Sequence, residues 1–121
     1  MGQYAKKIDS KIVIVSGGPE FPTSDAEIVD YLRYRNEIDL FVYNYEAEAT
    51  FLSILKRINE NESLDSIKSS PPPGVACLTN DGLIKTPAPQ RLDDLDLIPS
   101  PILSGMMDEF LDGSYMPFLE T

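Results

Sequence analysis

The chain has 121 residues, one domain's worth of material, and 42% of them are hydrophobic and 25% charged, the ordinary balance of a globular protein. Twenty acidic residues against ten basic ones give a net charge of −10, which disfavours a broad nucleic-acid-binding face. There is no histidine and a single cysteine, Cys77, so a Cys/His zinc site, a histidine-based catalytic arrangement and an intrachain disulfide are all excluded.

No apolar run approaches the roughly 20 residues of a membrane helix. The N-terminal stretch "MGQYAKKIDSK" has no apolar centre of signal-peptide type. A myristoylation motif is also lacking, because the sixth residue is lysine. These features read as a cytoplasmic chain.

In chain order, "GQYAKKID" has the composition of one or two helical turns. "KIVIV" (11–15) is a short apolar run rich in β-branched residues, the pattern of a strand covered on both faces. It leads into Ser16-Gly17-Gly18-Pro19. Ser24, followed three residues later by Glu27, forms a capping box that starts a helix over 24–35, with Ile28, Val29 and Leu32 on one face.

"DLFVYN" (39–44) predicts a second buried strand, and "EAEATFLSILKRI" (46–58) a second helix with Phe51, Leu52, Leu55 and Ile58 as its apolar stripe. Residues 59–74 are polar and then carry three consecutive prolines, which reads as a linker or surface connection. Residues 74–87 read as a hairpin turning at Asn80-Asp81-Gly82, residue types that tolerate positive φ. After it come an extended, proline-punctuated stretch and a short helix over 105–113.

Strand, helix, strand, helix with short connections is the alternation of a doubly wound parallel sheet. The fold expected is therefore α/β: a partial doubly wound sheet (1–58), then a linker, a β-hairpin and an extended Pro-rich tail (59–121). Two strands are too few for a stable sheet. The hairpin is expected to pair with it, strands are expected to be missing from the N-terminal side, and the open edge predicts a homodimer.

Ligands of such sheets lie beyond the carboxyl ends of the strands. Here those ends are Ser16, Gly17, Gly18 and Pro19 after the first strand, and Tyr43, Asn44, Tyr45 and Glu46 after the second. Glycines at such a turn serve either to leave the strand or to let a ligand lie against the backbone. The pattern is not that of a phosphate-cradling nucleotide loop, since neither G-x-G-x-x-G nor a following Lys-Ser/Thr is present. A flat or apolar group suits it better. No catalytic residue and no metal ligand stand out.

Several segments together resemble radical S-adenosylmethionine proteins that carry an N-terminal cobalamin-binding domain. "IVIVSGGP" resembles the family's strand and Gly-Gly-Pro turn, and "DLFVYNYEAEATF" (39–51) its next strand and G-E-G-E loop, with Tyr45 and Ala47 standing where the family has glycine. "PPPGVACLTNDGLIKTP" is similar to its proline-glycine element and hairpin. "RLDDLDLIPSP" (91–101) is the most specific match, and "FLET" resembles the start of the family's cluster motif, Cys-x3-Cys-x2-Cys.

The resemblance covers residues 11–121. It implies a Rossmann-like segment from the latter part of the cobalamin domain, joined to the connection toward a radical S-adenosylmethionine barrel. It implies cobalamin lying on Ser16, Gly17, Gly18 and Pro19, with Tyr43, Asn44, Tyr45 and Glu46 as the adjoining loop. It places the iron–sulfur (4Fe-4S) cluster and S-adenosylmethionine in a missing C-terminal domain, the chief partner. The segment would be non-catalytic alone, its parent a methyltransferase or related enzyme. The alternative is a small α/β protein–protein interaction domain without a cofactor.

Overall fold

A computed structural model describes residues 2–18, 21–43, 47–90, 93–94, 98–111 and 113. The chain divides into two compact units, residues 1–90 and 91–121.

The first unit is a mixed α/β structure around an open four-stranded sheet. Its elements are α1 (Gly2–Ile8), β1 (Val15–Gly17), α2 (Asp25–Tyr34), β2 (Leu40–Val42), α3 (Ala47–Asn59), α4 (Leu64–Ser69), β3 (Val75–Thr79) and β4 (Gly82–Lys85). The strand order is β1-β2-β3-β4. Only β1 and β2 run parallel, with Val15, Ser16 and Gly17 opposite Leu40, Phe41 and Val42. The hairpin joins the sheet as expected, but antiparallel, with Phe41 and Val42 opposite Ala76 and Val75.

Side chains alternate across a strand, so the sheet sorts its residues onto two faces. Leu40, Val42, Val75 and Cys77 face α3 and α4 and pack with Ile54 and Ile67. Phe41 and Ala76 face the other way and pack with Ile28 and Leu32 of α2. Phe21 stacks on Phe41 with ring centroids 4.0 Å apart and meets Tyr31 edge-on at 5.8 Å. The chain leaving the glycine turn is thereby pinned to the α2 face.

The α2 helix starts where the capping residues place it. Ser24 Oγ accepts the Glu27 amide at 3.4 Å and donates to Glu27 Oε2 at 2.6 Å. Ile28 and Leu32 are buried and Val29 half-buried.

Five expectations need correction. The first strand lies at Val15–Gly17 rather than 11–15, and it is an edge strand, half-buried rather than covered on both sides. Its ladder starts late because the Ile14 amide is taken by the Asp39 side chain at 2.7 Å, while the Ile14 carbonyl accepts both the Asp39 and Leu40 amides.

In α3 the buried residues are Thr50 and Ile54, whereas Phe51, Leu52 and Leu55 are exposed. Thr50 Oγ1 donates to the Pro73 carbonyl at 2.9 Å, which turns that side of the helix inward. Ile58 alone of the expected stripe packs against the core.

The stretch read as a linker contains α4, capped by Ser63 and anchored by Ile67 at 1% exposure. Arg57 locks it to α3: its guanidinium donates to both Glu62 carboxylate oxygens and, at 2.6 Å, to the Ser70 carbonyl.

In the hairpin turn, only Gly82 takes a positive φ, +123°; Asn80 and Asp81 do not. Thr79 stands opposite Gly82, so two residues make the connection.

In the second unit the described residues form turns over 101–107 and a 3-10 helix at Asp108–Phe110, shorter than the helix expected over 105–113. Gly105, the first residue of that expected span, has a φ of +75°. Among the described residues, no helix is long and apolar enough to cross a membrane.

Candidate functional site

The carboxyl end of the parallel pair opens into a cleft of about 270 Å³ lined by Val15, Ser16, Gly17, Val42, Ala47, Glu48 and Phe51. Three elements build it for separate reasons. Strand alternation sends Val15, Gly17 and Val42 to the α3 face. Helical spacing brings Ala47 and Phe51, four residues apart, over them. Gly17 has no side chain, so the floor between Val15 and Val42 is bare backbone.

The two glycines act differently. Gly17 has ordinary strand backbone, and its role is spatial: a Cβ there would stand 3.1 Å from the Val42 carbonyl oxygen. Gly18 has a φ of +136°, which side chains rarely adopt, while nothing lies within 4 Å of where its Cβ would be. The first glycine keeps a space open; the second makes the turn.

Among the described residues, the cleft lining is apolar apart from the Ser16 hydroxyl, backbone groups and Glu48, the sole ionisable one of them. Among the described residues, no lysine or arginine lines it, so a phosphate placed against them would meet the Glu48 carboxylate without a counter-charge. A flat apolar ring fits the lining, held between Phe51 and the backbone at Gly17. Typical small-molecule pockets run from about 300 to 1,000 Å³, so this cleft takes part of a ligand rather than the whole of one.

Of the residues expected at the site, Ser16 and Gly17 line the cleft and Gly18 adjoins it. Tyr43 is on the opposite face. Its ring stacks 6.0 Å from Phe21, its hydroxyl donates to the Thr86 carbonyl, and Lys85 Nζ lies 5.4 Å from the ring centroid. Burial pushes the Tyr43 phenol above its ordinary pKa, so it stays neutral there. Pro19, Asn44, Tyr45 and Glu46 lie outside the described residues.

Val15, Val42, Ala47 and Phe51 are walls that the sequence does not single out as site residues. Period-two alternation in the strands, combined with i, i+4 spacing at the start of α3, is the signal that groups most of them.

The proline segment closes the neighbouring end of β2. Gly74 accepts the Tyr43 amide at 3.0 Å, and Thr86 Oγ1 donates toward the Pro72 carbonyl at 2.7 Å and accepts the Val75 amide at 3.0 Å. Among the described residues, no group of three or more Asp, Glu, Cys or His side chains could hold a metal ion. Cys77 is buried, with burial raising its thiol pKa against the opposing effect of Lys68. No protein-family model matches this sequence, and no curated protein does.

Proposed function

We propose that this chain is a cofactor-binding segment, the latter part of a cobalamin-binding domain with its connection toward a radical S-adenosylmethionine barrel. On this reading the cleft between Gly17 and Phe51 receives the flat base that ends the corrinoid's nucleotide tail. The partial doubly wound, Rossmann-like character of β1-α2-β2-α3 and the extended Pro-rich tail belong to the same proposal, as does a cytoplasmic setting.

The observation that carries the reading is the bare backbone floor at Gly17. It opens an apolar cleft at the carboxyl end of a parallel strand pair, the place where sheets of this kind bind ligands. The sequence resemblance over residues 11–121 supplies the ligand class. This chain's own residues bind and orient: Val15, Val42 and Phe51 exclude water from the base, and Gly17 allows close approach. The chain is non-catalytic by itself. The cluster and S-adenosylmethionine, which supply radical chemistry, belong to a further domain of the same polypeptide.

The test is titration with cobalamin of this chain and of its longer natural polypeptide, followed in the visible spectrum. A saturable change in the longer protein that Gly17→Leu abolishes is expected. No spectral change in the longer protein overturns the proposal.

A further inference from the structure

The outer flank of α3 is apolar and uncovered: Phe51 is 43% exposed, Leu52 51% and Leu55 45%. Glu48, Leu52, Leu55 and Asn59 follow one another at intervals of four, three and four residues, the spacing of a helix–helix seam. Two hollows flank this line, the cleft at Gly17 and a second of about 480 Å³ lined by Leu55, Lys56, Ile58 and Asn59.

Charge identifies the occupant. Glu48 and Lys56 lie four residues on either side of Leu52, each about 6 Å along the axis. Both are exposed, and neither has an ion pair among the described residues. A chain of net charge −10 repels its own copies unless opposite charges are matched where they meet. A twofold axis at Leu52 matches them, since two antiparallel α3 helices set Glu48 of each copy against Lys56 of the other. Parallel packing sets like against like, and a helix without charges at this spacing leaves both groups unpaired.

We infer that α3 is the contact helix of a homodimer, packed antiparallel to its own copy about Leu52 with two reciprocal Glu48–Lys56 pairs. The inference does not depend on the cofactor reading. It places the interface on a helix flank rather than on the β1 edge, and brings a Lys56 from the second copy to the rim of the Gly17 cleft. One helix pair buries less than the ~800 Å² per partner of a standard interface, so the dimer is weak, in the micromolar range.

Sedimentation equilibrium of the chain without cobalamin, from low micromolar to near-millimolar, tests it. The mass should rise from 13.5 kDa toward twice that value. Leu52→Asp should remain monomeric with an unchanged far-ultraviolet circular dichroism spectrum. Lys56→Glu should weaken association about tenfold, and adding Glu48→Lys to it should restore wild-type association. A monomer throughout overturns the inference, as does a dimer indifferent to Leu52→Asp. Failure of the double charge reversal to rescue Lys56→Glu overturns the antiparallel register and the proposal with it.

Discussion

Gly17 and Val42 stand opposite each other in the parallel ladder, close enough that a methyl group on Gly17 would press the Val42 carbonyl at 3.1 Å. Gly17→Ala therefore requires that carbonyl to yield by a few tenths of an ångström, whereas Gly18→Ala meets no atom and fails on backbone conformation. Gly18→Ala should destabilise by about 1–3 kcal/mol, a drop in melting temperature of roughly 4–8 °C per kcal/mol. Gly17→Ala should cost less than Gly18→Ala in the same melts. If the two rank the other way, the division between spacing and turning is wrong.

The orientation of α3 makes a second prediction. Ile54 is fully buried and Leu55 is 45% exposed. Ile54→Ala should cost about 2–5 kcal/mol in urea unfolding, and Leu55→Ala no more than about 0.5 kcal/mol at concentrations where the chain is monomeric. Equal losses would place both residues in the core.

That helix also shows where sequence reasoning succeeds and stops. The α2 helix is legible because one polar signal, Ser24 with Glu27, and one apolar face, Ile28 and Leu32, agree. In α3, Phe51, Leu52, Ile54, Leu55 and Ile58 make two overlapping stripes, and periodicity does not choose between them. The choice comes from Thr50 reaching Pro73, a contact 23 residues away in sequence.

The α4 helix hides in a polar stretch because six residues with one buried isoleucine give no periodic signal. Both glycines of the site were visible, while the cleft's walls come from three separate elements. Position in the chain puts Tyr43 at the site, but strand alternation sends its ring to the other face.

Glu62 gives a pH dependence. Hydrogen bonds from Arg57, then Ser66, lower its pKa from the ordinary 4.5 to about 2. A carboxyl whose pKa is depressed by folding stabilises the fold fully above its unfolded value and loses that contribution as pH falls toward its folded one. Stability should thus decline from about pH 4.5 to about pH 2 as this group protonates. Glu62→Gln should be less stable than the native chain at neutral pH, with the difference shrinking across that window. Urea midpoints measured at several acid pH values decide it; a constant difference speaks against the Arg57 pair as the source.

Cys77 should resist thiol reagents in the folded chain. It is 1% exposed, its Sγ lies 3.6 Å from the Lys68 carbonyl, and burial holds the thiol protonated. With a disulfide-exchange reagent in excess, labelling should proceed at the rate of opening of the β3–α4 contact and become immediate in urea. Rapid labelling of the native chain would mean that this face of the sheet opens readily.

The Asp39 carboxylate collects the Ile14 amide, Lys6 at 2.6 Å and Lys68 at 3.7 Å at the start of β2. It ties three separate parts of the chain together at the end of the parallel pair away from Gly17. The polar scaffolding and the bare, apolar mouth are thus kept at opposite poles. Damage at Asp39 should be felt as loosened architecture, and, on the proposed reading, damage at the exposed Phe51 as altered recognition, so the two poles can be probed in one molecule with little crosstalk.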